Sequence, residues 1–543
     1  MYHAAEARVF PSVGEAHRDH GSPPAGFASG VGDRPGALAP IGVRPLAEPF
    51  VVGASQLRRT LGRLDALAFV ITAVVVLDTI GAVAVGGAQA FLWLAVMGVL
   101  FLYPSALVTA ELSAAFPQEG GHYVWASKAF GRTVGALSSL FYWAESPIWI
   151  GGSLAITSVA VVDRSFIRLD GARSLVGVLA FVTITIGCAL LPMRLARLVP
   201  IVGAGARFAL LGGFTLAVGV YAASHGIHGV RHLTAFSPTF ATFAAIVPVL
   251  LYNYLGFDIP ATAGGEMRDP QRNLPLAALQ GGAWTFVLYA VPIAAVLVVL
   301  PASSVTSLRG FIDAIDVVFT PFGGHVGPDG RAHLAGAGRV LGDLCAVGFV
   351  VVLLTSGATW LIGSVRSQAI ACLDGAGPRW LGRLDLEGTP RRLVLISGVL
   401  AVAVALGAYA VSGSNADRYF TAALSLSIAT IALSYLAAFA ALPRLRRTHP
   451  QVVRPYRIPG GALGAYLASG LCVAWTLVSL ALLVWPQALP TGFPHQRLAF
   501  ELTQCVPLVL LAATGFTFAI CGRGSPELDL VAGQATEGRE MAS

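Results

Sequence analysis

Residues 251–275 read LYNYLGFDIPATAGGEMRDPQRNLP. The stretch begins as an apolar helix. It then carries Asp258 and Pro260 at a depth where lipid tolerates neither without cause. Pro260 has no N–H, so the carbonyl of Gly256 is expected to lose its helical partner. Gly256, Gly264 and Gly265 loosen the backbone further. A carboxylate in an apolar span is expensive and by default marks a functional site. A broken helix at that depth persists only where it is buried in protein or lines a cavity. Together these features predict a transport site rather than a plain anchor.

The rest of the chain supports a membrane setting. It has 543 residues, of which 55% are hydrophobic and 12% charged, with a mean hydropathy of +0.73. Soluble domains carry roughly twice that share of charge. Long apolar runs recur along most of the length and predict an all-α polytopic membrane protein, with the lipid bilayer as its surroundings. The net charge of +7 would suit nucleic acid. The arginines, however, lie in short loops between apolar runs and read as topology signals, so no nucleic-acid partner is expected. The six cysteines are scattered without metal spacing and do not suggest a disulfide framework.

Residues 1–55 are rich in Pro, Gly and Ala and show little periodicity, which predicts a disordered cytoplasmic tail. They lack the basic start and apolar core of a signal peptide. Residues 56–522 form the expected transporter domain, and 523–543 a polar cytoplasmic tail. Twelve candidate spans follow, at roughly 64–87, 89–115, 134–161, 173–192, 198–222, 240–263, 277–301, 338–371, 391–411, 419–442, 461–485 and 499–521. Arg58, Arg59, Arg63, Lys128, Arg132, Arg194, Arg197, Arg268, Arg272 and Arg366 fall on one side of them. The clusters at 379–392, 444–457 and Arg523 fall on the same side. The other side holds fewer, among them Arg164, Arg168, Arg231, Arg309 and Arg418. The richer side is expected in the cytoplasm, with both termini inside. An inner plasma membrane location follows.

Span 1 reads DTIGAVAVGGAQAF from Asp78, and span 6 reads LGFDIPATAGGE. Both look interrupted, and they lie five spans apart. Matched interruptions of this kind point to the site of an inverted-repeat transporter. The repeats would cover about 60–222 and 240–442, with extra helices at about 461–521. The plainer explanation of span 1 is a small-residue packing face.

Four segments resemble the amino acid–polyamine–organocation superfamily of permeases. YPSALVTAELSAAFPQEGGHYVWASKAFG (103–131) resembles its passage from span 2 to span 3, and 251–275 resembles its span 6. WLIGSVRSQAIACLDG from Trp360 resembles span 8, and PYRIPGG (455–461) the loop before span 11. The resemblance implies a leucine-transporter-like fold of five plus five inverted spans and two more, working by alternating access. It also implies a small-molecule substrate, an amino acid or, alternatively, a polyamine or other organic amine, driven by protons or exchange. A homodimer is among the assemblies expected.

Asp258 is the first site candidate. Burial disfavours its charge, so it can take and release a proton. The matching position in arginine–agmatine exchangers of the superfamily carries an acid with a proton-sensing role. The alternative is a structural acid held by hydrogen bonds. Tyr252 and Trp360 match aromatic positions that contact or occlude substrate in those exchangers, and an aromatic face attracts an ammonium group. Core packing is the alternative for both.

Ile80, Gly81, Ala82, Val83 and Ala84 in span 1, with Gly256 and Phe257 in span 6, are expected to offer free backbone groups to a substrate. Where the family often shows a GSG-type motif, this chain reads TIGAVAVGG. Asp78 and Glu145 are two further acids in apolar spans, and Glu145 stands two residues before Pro147. Three such acids suit a cationic substrate. Otherwise Asp78 holds the broken span and Glu145 pairs with a buried base such as Arg207. Arg207 is also a candidate substitute for the sodium ion of relatives. Thr355 and Ser356 offer oxygens to a sodium ion, although such hydroxyls more often bond their own backbone. Glu111, Glu266, Arg268 and Arg272 are read as gate and loop contacts, and Gly120 and Gly121 belong to the same span 2 motif.

No Walker loop, HExxH or nucleophile elbow occurs in the sequence. An ATP motor, an enzyme, a resident metal and a cofactor are therefore not expected. The histidines cluster in the tail and at His225, His228 and His232, where a solvated loop is the expected setting. A channel and a non-transporting sensor remain as rivals from other classes.

Overall fold

The computed structural model describes residues 61–226, 239–299, 308, 310–327, 331–385, 388–412, 415–484 and 497–522. Both expected tails, Arg58, Arg59, Arg231, Arg309, Arg523, His228 and His232 lie outside the described residues.

Every range expected to hold a span holds a helix. Among the described residues, ten helices are long and apolar enough to cross a membrane. Ala88–Ala115, Arg132–Ser165, Ala172–Ala189 and Met193–His225 are spans 2 to 5. Pro270–Leu297, Gly336–Leu373, Arg391–Ser412, Ala416–Thr448, Gly461–Leu483 and Arg497–Cys521 are spans 7 to 12. Spans 1 and 6 are the exceptions. Span 1 is a helix at Arg63–Val74 followed by a single turn at Ile80–Ala84. Span 6 is a helix at Phe240–Asn253 followed by a 3-10 turn at Ile259–Glu266.

Burial sorts the helices by depth. In the most apolar stretch of span 3, 94% of residues are buried, and in span 10, 83%. The figure for span 12 is 11%. Spans 3 and 10 are therefore central and pack on each other, while span 12 turns most of its surface to lipid. Span 1 packs on spans 5, 7 and 8. Both broken helices are thus enclosed, which is the condition for irregular backbone at membrane depth.

Both breaks have a local cause and a remote one. In span 6 the helix ends before Tyr254, and Gly256 adopts φ +115°, which favours a residue without Cβ. A Cβ there would lie 3.0 Å from Cζ2 of Trp360, so the glycine also admits the indole. Pro260 sits in the first turn of the following 3-10 helix, where a missing N–H costs little. The carbonyl of Gly256, expected to be free, accepts the N–H of Ile259 at 3.3 Å. The short turn replaces the bond that Pro260 removes.

Span 1 breaks at 75–79, ahead of the stretch that the sequence marked. Ile80–Ala84 is helical, and the N–H of Val83 donates to the carbonyl of Thr79 at 3.1 Å. The expectation of free backbone groups along 80–84 is corrected at Val83, whose N–H the turn takes up. Small residues permit unwinding, but here they re-form a short helical turn, whose first N–H groups have no partner within the turn. Span 3 is also irregular. Ile150–Leu154 is a π-helical turn, with Gly152 at φ −101° and ψ −114°. Gly151 and Gly152 press against spans 9 and 10, where a Cβ would collide with Ala401 and Ala423. Such bulges often mark functional positions.

Candidate functional site

The break in span 1 frees a row of carbonyls, and each has a specific donor. The carbonyl of Thr72 accepts Nη2 of Arg207 at 2.8 Å, and that of Val75 accepts Nε at 2.6 Å. Ala73 receives the indole N–H of Trp360 at 2.8 Å, and Val74 the hydroxyl of Tyr289 at 2.8 Å. The same Tyr289 oxygen accepts the N–H of Val76 at 2.8 Å. Spans 5, 7 and 8 therefore hold the cut end open.

Arg207 is fully buried. It also donates to the carbonyl of Gly203 at 2.8 Å and to Oγ of Ser356 at 2.5 Å. It forms no pair with Glu145, so that alternative is corrected. Thr355 donates to the carbonyl of Val351 at 2.8 Å. A guanidinium thus uses the Ser356 oxygen that the sequence offered to sodium.

Asp258 lies at the far end of the break in span 6, fully buried. Tyr142 of span 3 donates to its Oδ2 at 2.6 Å, and Tyr435 of span 10 donates to its Oδ1. Tyr435 in turn accepts the N–H of Gly256 at 2.9 Å. His122 is fully buried too, with Nε2 3.3 Å from Oδ2 of Asp258. That nitrogen has no aligned hydrogen bond. Its ring stacks on Tyr142 with centroids 4.5 Å apart and meets Tyr435 edge-on at 4.3 Å. The other ring nitrogen lies 3.2 Å from Oγ of Ser434. The sequence placed its histidines in the tail and an outer loop, so His122 was missed. The signal was its place in FPQEGGHY, beside two glycines that the motif had already marked.

A second set of side chains surrounds the break in span 1. Asp78 accepts Nε1 of Trp149 at 3.2 Å and Oγ of Ser153 at 2.9 Å, both on its Oδ2. The π-helical turn of span 3 presents that serine. Glu145, one helical turn before Trp149, accepts the hydroxyl of Tyr252 at 2.6 Å. Thr79 donates to Oδ1 of Asn253 at 2.8 Å, tying one break to the other. Trp149 stands edge-on to Tyr252 at 5.9 Å and to Trp360 at 6.4 Å. Trp360 lies 5.9 Å from Tyr142. An aromatic ladder therefore connects the Asp78–Glu145 end to the Asp258 end. Phe257, between the two helical pieces of span 6, is buried.

The gate and loop candidates fall into separate groups. Glu266 pairs with Arg366 of span 8 at 2.5 Å, and Glu119 of the FPQEGG motif approaches the same nitrogen at 3.2 Å. All three side chains are nearly inaccessible. Outside the membrane segments, burial pushes Glu119 up to about 7 against the pull of Arg366, and Glu266 adds to the rise. Glu111 is instead an anchor. It accepts Nε of Arg446 at 2.7 Å, Nη2 of Arg446 at 2.5 Å and the N–H of Ile458 at 2.8 Å. Span 2 is thereby fastened to the YRIP segment. Arg268 and Arg272 are exposed; the backbone N–H of Arg268 bonds the carbonyl of Leu61 at 2.9 Å. Among the described residues no group of His, Cys, Asp and Glu is arranged to hold a metal.

Comparison with known sequences agrees with this architecture. The profile of the family described as amino acid permease matches residues 61–500. The "Probable agmatine/putrescine antiporter AguD" of Lactococcus lactis subsp. lactis is 27% identical over 454 residues, covering 82% of this chain and 91% of the relative. An uncharacterised transporter of Legionella pneumophila is 26% identical over 393 residues, with 70% and 80% covered. A glutamate/gamma-aminobutyrate antiporter of Lactococcus lactis subsp. lactis is 23% identical over 406 residues, with 72% and 77% covered.

Proposed function

The chain belongs to the amino acid permease family of the amino acid–polyamine–organocation superfamily, and from that premise we propose that it exchanges amino acids or their amine relatives by alternating access. It is a multi-pass membrane protein, and its family and relatives are transporters rather than enzymes. The plasma membrane with both termini inside is the proposed setting.

One observation carries the proposal: two broken helices meet through Thr79 and Asn253 inside a wall of aromatic rings and buried acids. Breaks of this kind present backbone ends to a substrate. The rings of Trp149, Tyr252 and Trp360 suit an ammonium group. Asp258 is the proposed proton-coupling group, because its phenol and imidazole neighbours come from spans 3 and 10 and from the segment before span 3. Any rocking of those elements changes the hydrogen bonds that its carboxylate accepts. Glu119, Arg366 and Glu266 close the cytoplasmic path in this arrangement. Their contact has to break for release on that side. Arg207 takes the place of a coupling sodium, since its fixed charge already satisfies the carbonyls of the break.

The test is exchange in proteoliposomes loaded with unlabelled arginine, glutamate, gamma-aminobutyrate or putrescine. Labelled substrate outside should accumulate only where the internal compound is one the site accepts. Equal uptake into loaded and empty vesicles for every compound would overturn exchange.

A further inference from the structure

Asp78 and Glu145 are both buried, at 2% and 0% exposure. Each uses one carboxylate oxygen. Oδ2 of Asp78 is held by Trp149 and Ser153, and Oε1 of Glu145 by Tyr252. The other oxygens, Oδ1 of Asp78 and Oε2 of Glu145, have no partner. Trp149 and Tyr252, the donors to the two acids, are themselves in edge contact at 5.9 Å. The acids therefore belong to one contiguous cluster, Asp78–Trp149–Tyr252–Glu145.

Among the described residues no Lys, Arg or His pairs with either acid. The buried guanidinium nearby, Arg207, donates to the carbonyls of Thr72, Val75 and Gly203 and to Ser356. Buried carboxylates without a counter-charge are among the most costly features that a structure can carry. Here there are two, while Asp258, a third acid at the other end of the ring ladder, has the imidazole of His122 3.3 Å away. The remaining hydrogen-bond capacity of Asp78 and Glu145 is acceptor capacity, which calls for a donor. The surrounding ring faces attract positive charge.

We propose that Asp78 and Glu145 seat the cationic end of the substrate, and that the substrate is an organic dication, a diamine or a guanidino-amine. This rests on the transporter function proposed above and narrows it. An ammonium or guanidinium group is a multiple donor that reaches both unpartnered oxygens at once. A zwitterion of the same length brings a further carboxylate into a cluster already rich in them. A dication lowers the net negative charge of the three-acid set by two.

The experiment compares three four-carbon probes on the purified full-length chain by thermal shift and direct binding. Putrescine carries two ammonium groups, n-butylamine one, and 4-aminobutyrate one with a carboxylate. Putrescine should bind at least about tenfold more tightly than either of the others. Glu145→Gln and Asp78→Asn should each weaken putrescine by about thirtyfold or more, and Glu145→Asp should recover part of the loss. The inference is overturned if 4-aminobutyrate binds as tightly as putrescine. It is also overturned if Glu145→Gln leaves putrescine affinity unchanged, or if the wild type binds none of the three. The first comparison needs no variant, so it holds even if a substitution prevents folding. Arginine and glutamate exchange in proteoliposomes, run in parallel, shows whether the transporter function stands when the dication does not.

Discussion

The indole N–H of Trp360 donates to the carbonyl of Ala73 at 2.8 Å, so a side chain of span 8 caps the broken end of span 1. The same ring faces Trp149 and Tyr142 across the proposed substrate path. Its polar edge and its aromatic face thus have separate duties, and substitution can separate them. Trp360→Phe keeps a ring and loses the donor. It should lower stability by about 1 kcal/mol and change apparent affinity little. Trp360→Ala removes the face as well and should weaken apparent affinity by about tenfold. Michaelis constants for uptake check this, and equal constants in all three proteins would leave Trp360 as packing alone.

Asp258→Asn retains the size of the side chain and can still accept from Tyr142 or Tyr435, but it no longer exchanges a proton. Transport by this variant should have a flat pH profile while the protein remains folded. His122→Asn removes the imidazole that stands 3.3 Å from Asp258 and should displace the profile without flattening it. Initial rates in proteoliposomes from pH 5 to 8 decide the matter. A wild-type profile in Asp258→Asn would remove its coupling role.

Glu119 gives its contact with Arg366 and Glu266 a pH dependence of definite sign. Its carboxyl stands at about 7 in the closed contact and returns toward its ordinary 4.5 when solvated. The closed state therefore holds a proton that the open state releases. That stabilisation is complete below pH 4.5 and is lost as pH rises through about 7. Above that pH, Glu119 and Glu266 both press negative charge on Arg366. Hydrogen exchange at residues 117–121, corrected for intrinsic rate, should quicken between pH 5 and 8 in the wild type. It should not do so in Glu119→Gln. Parallel behaviour of the two would contradict the assignment.

Arg207→Ala leaves the carbonyls of Thr72 and Val75 without donors, at about 1–3 kcal/mol for each buried group. The midpoint of thermal unfolding in detergent should fall, and transport should be lost with it. Arg207→Lys restores a charge but not the fork, so it should recover only part of the stability. An Arg207→Ala protein as stable as the wild type would show that the break is held by other means.

The sequence disclosed the spans well because apolar run length is a local property, and each expected range contains a helix. It disclosed the break of span 6 for a similar reason, since Gly256, Asp258 and Pro260 act on their own neighbourhood. The register of the break in span 1 was less legible. Gly81 and its small neighbours permit unwinding, but the position is fixed by donors far along the chain. Arg207 is 132 residues from Val75, Tyr289 is 215 from Val74, and Trp360 is 287 from Ala73. Asp258, Glu145 and Tyr252 were visible as polar or aromatic residues in apolar runs. Their partners were not, because Tyr142, Tyr435 and Trp149 look like ordinary membrane aromatics until the fold sets them against a carboxylate. His122 was hidden by the same distance, at the start of a short helix after Gly121.

Counterflow of labelled putrescine is the most direct measure of exchange at a site between the two broken helices. Proteoliposomes loaded with unlabelled putrescine should take up external label transiently above equilibrium, with a rate that saturates. That rate should fall by about tenfold or more in empty vesicles. Label entry that rises linearly with concentration, at the same rate in loaded and empty vesicles, would contradict alternating access and point to a channel.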